Sequence, residues 1–358
     1  MLTPYGWSEE FQREFSRYAT DGLEPGRIIV QQRGGYRLAT AAGEVDARAT
    51  GTLLKGSADQ DRPTAGDWVA FEPRPGETTA LVRAVLPRKT AFIRKASGRH
   101  GGAQVVAANV DVAFLVTSLN ADLNLRRLER YLATAYESGA EPVVVLTKAD
   151  LAEDVAASVA EVETIAFGAP VLAVSARSGL GMDAFADWLA AGRTAVLLGS
   201  SGAGKSTLVN ALSGGERMAT AEIREDDARG RHTTTHRELV LLPSGGLILD
   251  TPGMRELGLW EAEGGVSSAF EDVEALAAQC RFSDCSHHGE PGCAVRGAID
   301  AGELPAPRLA AYEKLQAEMA FEHRRTDPRA DKENRKLWAS RHKAARAWIK
   351  QKRKGPDE

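Results

Sequence analysis

A chain of 358 residues is long for one domain and leads to an expectation of two or three. With 43% apolar and 26% charged residues its composition is ordinarily globular, and no apolar run approaches the roughly 20 residues that a bilayer span needs. The net charge of −4 hides a segregation: residues 324–354 hold 13 Lys/Arg against Asp327, Asp331 and Glu333, a local +10 that leaves −14 for the rest.

Residues 1–18 carry Glu9, Glu10 and Glu14 and lack an apolar h-region, so they read as a short amphipathic helix packing Phe11 and Phe15, not as a secretory signal. Residues 24–96 hold short β-like runs at 27–32, 36–40, 44–49, 67–72 and 79–86, broken by Gly and Pro. Five strands in about 70 residues fit an OB-type barrel. Arg83, Arg88, Lys89, Arg94, Lys95 and Arg99 form a basic cluster without an acid among them, leading into the linker Ser97-Gly98-Arg99-His100-Gly101-Gly102. Segregated positive charge in an acidic chain points to a polyanionic partner.

Strands and helices then alternate. Apolar runs of strand length lie at 110–117, 142–147, 171–175, 195–198 and 247–249, with a helical pattern at 125–138. This alternation predicts a mostly parallel sheet covered on both faces. Beyond about residue 265 a Cys/His cluster precedes helix-like segments at 307–324 and 331–354. The expected organisation is an extension (1–23), an all-β OB-fold barrel (24–96), an α/β P-loop domain (97–265) and a mainly α metal-binding domain with a basic tail (266–358).

Gly199-Ser200-Ser201-Gly202-Ala203-Gly204-Lys205-Ser206 fits the phosphate-loop pattern G-x-x-x-x-G-K-[ST] between an apolar strand and a helical run that starts at Thr207. Its backbone N–H groups and the helix N-terminus suit phosphate oxygens, Lys205 suits the β- and γ-phosphates, and Ser206 suits Mg²⁺. Asp250-Thr251-Pro252-Gly253 follows an apolar strand and matches D-x-x-G, with Asp250 directed at Mg²⁺ through water and Gly253 at the γ-phosphate. Thr147-Lys148-Ala149-Asp150 resembles the N/T-K-x-D element, in which the Asp150 carboxylate accepts from guanine N1–H and N2–H and the Lys148 stem covers the base. Ser175-Ala176-Arg177 resembles the S-A-K element, whose Ala N–H meets guanine O6. Adenine offers no donors equivalent to those of guanine, so Asp150 favours GTP over ATP.

In an ordinary GTPase the phosphate loop comes first; here both base-reading motifs precede it, which predicts a circularly permuted chain. Arg229-Gly230-Arg231-His232-Thr233-Thr234-Thr235-His236 occupies the place of switch I, and Thr234 is the favoured Mg²⁺ ligand among its three threonines. Met254 stands after Gly253 where many GTPases carry a water-orienting Gln. Catalysis therefore needs another group, and His232, ahead of His236, is the candidate.

Cys280-x4-Cys285-x-His287-x5-Cys293 gathers all three cysteines with one histidine. Three thiolates and an imidazole make a closed shell suited to structural Zn²⁺, with His288 as the alternative fourth ligand. So few cysteines, so placed, form no disulfide framework and fit a reducing, cytoplasmic setting.

With these residues in hand the chain resembles the RsgA family, also called YjeQ, of bacterial GTPases dependent on the small ribosomal subunit. The resemblance rests on Ala107-Ala108-Asn109-Val110-Asp111, the permuted motif order, Gly230-Arg231-His232-Thr233-Thr234-Thr235, Asp250-Thr251-Pro252-Gly253 and Cys285-Ser286-His287-His288-Gly289-Glu290-Pro291-Gly292-Cys293. It implies an OB-fold, a permuted GTPase core and a C-terminal zinc domain. It also implies binding to the 30S subunit and its 16S rRNA late in maturation, with hydrolysis stimulated by that subunit and followed by release. Thr147 replaces the commoner Asn of the base-reading motif, and Gly202 stands where potassium-activated relatives carry Asn. Nothing in the sequence argues against a monomer. The alternatives are a nucleotide-gated RNA-binding module with negligible turnover and a GTPase acting on another RNA.

Overall fold

The computed structural model describes residues 2–19, 21–56, 58–74, 76–95, 103–120, 122–166, 168–215, 237–250 and 263–326. Helix α1 (Glu9–Ala19) starts at Ser8, whose hydroxyl accepts from the Phe11 N–H at 3.5 Å, and buries Phe11 and Phe15. It packs on Trp68 through Phe11, while Trp7 lies edge-on to the same indole at 4.7 Å. Each such aromatic is worth roughly 1.5–3 kcal/mol of burial, which is why a short helix with three acids holds its place.

Strands β1 (Glu24–Gln32), β2 (Gly35–Thr40), β3 (Gly43–Ala49), β4 (Trp68–Glu72) and β5 (Thr79–Val85) close into a five-stranded barrel in the order β1-β2-β3-β5-β4, with β4 returning to β1 and the short helix α2 (Gly51–Gly56) between β3 and β4. All five expected β runs are present. The barrel core is Ile28, Leu38, Ala47, Val69, Phe71, Ala80 and Val82, the inward positions of alternating strands.

A hairpin of β6 (Ala91–Lys95) and β7 (Ala103–Ala108) follows. The basic linker 97–102 lies outside the described residues. The next apolar run begins as strand β8 (Val112–Ser118), two residues later than its sequence suggests. The reason is Asn109, held at φ +53° while its side chain accepts from Lys89 N–H and donates to the Gly66 carbonyl. Helix α3 (Leu125–Ser138) coincides with the expected helix; Asn124 caps its start and Gly139, at φ +82°, its end. Then come β9 (Glu141–Thr147), α4 (Val155–Ala166), β10 (Val171–Ala173), β11 (Thr194–Gly199), α5 (Lys205–Ser213), β12 (Arg237–Leu241) and β13 (Leu247–Asp250).

These strands lie in the order β10-β9-β8-β11-β13-β12, parallel except for β12. β11 lies inside the sheet although three of its strands, β8, β9 and β10, precede it in the chain and two, β12 and β13, follow it, as a permuted order requires. The sheet does not stop at β12. Val30 and Gln31 of β1 pair antiparallel with Glu238 and Arg237, so barrel and α/β sheet form one eleven-stranded sheet. A register shift between Ile28 and Val30 makes this possible: residues 24–27 close the barrel on β4, and the strand end turns out to meet β12.

Arg27 locks the same junction. Fully buried, it donates to the carbonyls of Tyr5, Gly66 and Asn109 and to Thr194 Oγ1, tying the N-terminal turn, barrel and β11 together. Burial pulls its pKa down to about 10, so it stays charged at neutral pH.

Helices α6 (Glu263–Ala269), α7 (Glu271–Ala277), α8 (Ala294–Asp300) and α9 (Ala306–Thr326) form the C-terminal part, which the sequence indicated to be mainly helical. The expected helix 331–354 lies outside the described residues. Arg308 docks this part on α3: buried, it donates to both Asp272 oxygens and the Ala269 carbonyl, lies 3.4 Å from Glu129 and sits over the Phe270 ring at 4.0 Å. Among the described residues no helix is long and apolar enough to cross a membrane.

Candidate active site and metal centre

Among the described residues, the sequence-predicted nucleotide motifs lie at one end of the sheet, at the carboxyl ends of the parallel strands, where open α/β sheets bind ligands. β11 leads into the phosphate loop and α5 leads out of it. Gly202 (φ +80°) and Gly204 (φ +89°) take the left-handed conformations that turn the chain. At Gly199 a Cβ would lie 2.3 Å from the Val116 carbonyl, so only glycine lets β11 pack this closely on β8 as the loop begins. Lys205 folds over its own loop, donating from Nζ to the carbonyls of Gly199 (2.8 Å) and Ser200. Ser206 and Thr207 stand in the first turn of α5, and Asp250 ends β13, which pairs in parallel with β11, the strand that leads into the loop.

Thr147 ends β9, and its hydroxyl donates to the Ala203 carbonyl at 2.6 Å. The base-reading strand is thus fastened to the phosphate loop by a short threonine bond. Lys148 follows at φ +58°, and Asp150 lies in the 3-10 turn Ala149–Leu151. The second base-reading loop is fixed to the first: Ala149 N–H donates to the Val174 carbonyl at 3.1 Å. Ser175 is buried, its hydroxyl accepting from Ser178 N–H at 3.2 Å, and Ala176 packs on the sheet's core. The four motifs with described residues therefore converge. His232, Thr234 and His236 lie outside the described residues, as do Thr251, Pro252, Gly253 and Met254.

Sequence reasoning passed over Asp122, just after β8. Its Oδ2 accepts from the Ser200 hydroxyl at 2.6 Å and its Oδ1 from Arg127 at 2.7 Å. No motif marks it, because the contact joins residues 78 positions apart.

Cys280, Cys285, His287 and Cys293 converge with all ligand atoms within 4.8 Å of one another. Cys280 Sγ lies 3.9 Å from Cys293 Sγ and 3.7 Å from His287 Nδ1, which is 3.4 Å from Cys293 Sγ. A tetrahedron with Zn–S of about 2.3 Å and Zn–N of about 2.0 Å has edges of roughly 3.5–3.8 Å, so the donor set and its spacing fit zinc. Of the two adjacent histidines, His287 faces the thiols, at φ +59°, while His288 turns to the Ser286 carbonyl and Glu313. The loop is braced by Glu290, whose carboxylate accepts from the N–H groups of Ser286 (3.0 Å), His288 (2.9 Å) and Gly289 (3.1 Å) and from the Ser286 hydroxyl. The Ser286 hydroxyl, then the N–H groups of Glu290, Ser286 and His288, hold its pKa at about 2.

The profile of the RsgA GTPase family matches residues 85–260, from the end of the barrel through the phosphate motifs. The chain is 49% identical over 356 residues to the small ribosomal subunit biogenesis GTPase RsgA of Opitutus terrae, covering 97% of each. It is 47% identical over 355 residues to the protein of the same name from Streptomyces avermitilis, covering 98% of this chain and 95% of that one. Among solved structures, YjeQ from Thermotoga maritima superposes with a TM-score of 0.62 at 26% identity, over 83% of this chain and 98% of that one. YloQ, a circularly permuted GTPase, superposes with a TM-score of 0.60 at 26% identity, over 84% and 96%. Identity of 49% over nearly the whole length, the family profile and the superposition on a circularly permuted GTPase lead to one assignment: the chain belongs to the RsgA GTPase family of circularly permuted GTP hydrolases.

Proposed function

We propose that this protein is a GTP-driven switch in biogenesis of the small ribosomal subunit, binding the 30S particle through 16S rRNA, hydrolysing GTP to GDP and phosphate there and leaving after hydrolysis. The observation that carries this reading is 49% identity across 97% of both chains with a relative named for small ribosomal subunit biogenesis. The barrel supports it as an RNA-binding scaffold, and the basic tail would add phosphate contacts that weaken with salt; in the basic cluster Arg83, Arg88 and Lys89 are paired with Glu72, Asp67 and Glu10, so those three are not free to serve.

Asp150, Lys148, Ser175 and Ala176 would hold guanine, residues 199–207 the phosphates, and Ser206, Asp250 and Thr234 the Mg²⁺, with Gly253 at the γ-phosphate. His232, with His236 as the second choice, would take the place of the missing Gln. Cys280, Cys285, His287 and Cys293 would hold one Zn²⁺, which with four protein ligands supplies a cross-link and no activated water. The proposed divisions follow residues 23, 96 and 265, in a cytoplasmic monomer.

The test is GTP turnover by the purified protein alone, with 30S subunits and with 50S subunits. Slow turnover raised by 30S alone is expected. Equal rates in all three would leave a GTPase without the ribosomal assignment.

A further inference from the structure

The phosphate loop is held from two sides. Thr147 fixes its fifth residue by donating to the Ala203 carbonyl; Asp122 fixes its second by accepting from the Ser200 hydroxyl at 2.6 Å. Ser200 is gripped doubly, because its carbonyl also takes a bond from Lys205. The Thr147 contact belongs to the base-reading motif. The Asp122 contact belongs to no motif, and it places a carboxylate against a loop shaped for polyanionic phosphates.

That carboxylate is built in rather than incidental. Arg127, in the first turn of α3, donates from Nη2 to Asp122 Oδ1 at 2.7 Å and also to the Asp122 carbonyl. Asn120 Oδ1 accepts from the Asp122 N–H (3.3 Å) and from the Ser118 hydroxyl (2.7 Å), and Thr117 Oγ1 donates to the Asp122 carbonyl at 3.2 Å. The Asp122 backbone is thus held from three directions and the side chain is about 22% exposed. Charge-assisted bonds of this kind are stronger than neutral ones and give a fixed direction.

We infer that Asp122 is a positioning residue for nucleotide binding: its carboxylate sets the second peptide of the phosphate loop through Ser200, and Arg127 neutralises it so that it does not repel the incoming phosphates. This rests on residues 199–207 being the phosphate site. Arg127 has a separate effect from Asp122. Without Asp122 the loop loses its anchor; without Arg127 the anchor remains but carries an unpaired negative charge beside a polyanion, so binding weakens at low salt and the deficit shrinks at high salt, which screens the repulsion. Both effects fall on binding of GDP and GTP alike, because the second residue of the loop is shared by both nucleotides.

The experiment is a binding cycle with fluorescent GDP and GTP analogues on the full-length chain, at low and high salt, with steady-state turnover alongside. Lys205→Ala is the control, and binding that survives it overturns the phosphate-loop reading itself. With that control abolishing binding, Asp122→Ala is expected to raise both dissociation constants on the order of tenfold, the loss of one hydrogen bond to a charged group. The loss should appear in KM far more than in kcat. Asp122→Asn, which keeps an acceptor for Ser200 without a charge, should recover most of it and guards against a folding defect in the alanine variant. Arg127→Met should weaken binding in the parent and have little effect in the Asp122→Asn background. Unchanged dissociation constants for Asp122→Ala, or an Arg127→Met loss equal in both backgrounds, would overturn the proposal.

Discussion

Arg237, the first residue of β12, donates from Nη1 to Oε1 of Gln31 on β1 at 2.8 Å. The same guanidinium reaches Thr64 Oγ1 at 3.2 Å, and Thr64 itself donates to Gln31. On its other edge β12 pairs with β13, placing Glu238 opposite Asp250. One strand therefore touches the barrel on one side and the strand carrying the expected Mg²⁺ carboxylate on the other. Burial, with Arg94 nearby, pulls the Arg237 pKa down to about 10, so the link stays charged at neutral pH.

This geometry predicts that Arg237→Met weakens communication between barrel and nucleotide site. Basal turnover and GTP affinity should change by about twofold or less, and stimulation by 30S subunits should fall on the order of tenfold, a coupling of typical size. Turnover assays with and without 30S check it, and full stimulation in the variant would remove β12 as the route.

Guanine selection should reside in Asp150. Asp150→Asn is expected to reduce GTP affinity on the order of 100-fold while leaving the much weaker ATP binding nearly unchanged, because two charge-assisted acceptor contacts to guanine are lost. Competition binding with both nucleotides reads this directly.

The Cys/His centre should contain one zinc per chain. Cys280→Ser, or a strong chelator, is expected to remove it and to unfold the loop and α8, since Cys293 Sγ also accepts from the Arg296 N–H at the start of that helix. Metal analysis should show one zinc per native chain; well under one in a fully folded sample would reject the assignment. Nucleotide binding should survive, because the phosphate loop lies on different elements.

Gly265 should tolerate no side chain. A Cβ there would lie 2.0 Å from the Ala133 carbonyl and 2.9 Å from the Glu137 nitrogen, both α3 backbone atoms. Its N–H donates to Glu137 Oε2 at 2.7 Å, so α6 is seated directly on α3. Gly265→Ala is expected to cost about 1–3 kcal/mol and to appear in a melting experiment as a destabilised C-terminal part. An unaltered melting curve would mean that the helices move apart at no cost.

Much of the site was legible because phosphate and guanine recognition use backbone turns and short side chains close together in the chain. Gly199 through Ser206 announce a loop that only glycines can bend, and Cys280 through Cys293 a ligand set within one short segment. Helix α3 matched its sequence range because a consistent apolar face and two caps act locally. The β6–β7 hairpin escaped notice because its strands are short and lie around a glycine-rich linker.

What the sequence determined by itself, then, were the barrel strands, the permuted motif order, the nucleotide-motif sequences and the three-cysteine, one-histidine donor set suited to a metal, all set by local pattern and spacing. Only the tertiary structure decided which of two adjacent histidines faces the thiols. It also revealed that Asp122 grips Ser200 and that β1 leaves the barrel to join β12. Those facts depend on contacts between residues such as Gln31 and Arg237, 206 positions apart. No local propensity encodes a pairing of that kind; it arises when the packed sheet brings two strand edges with unpaired backbone groups together.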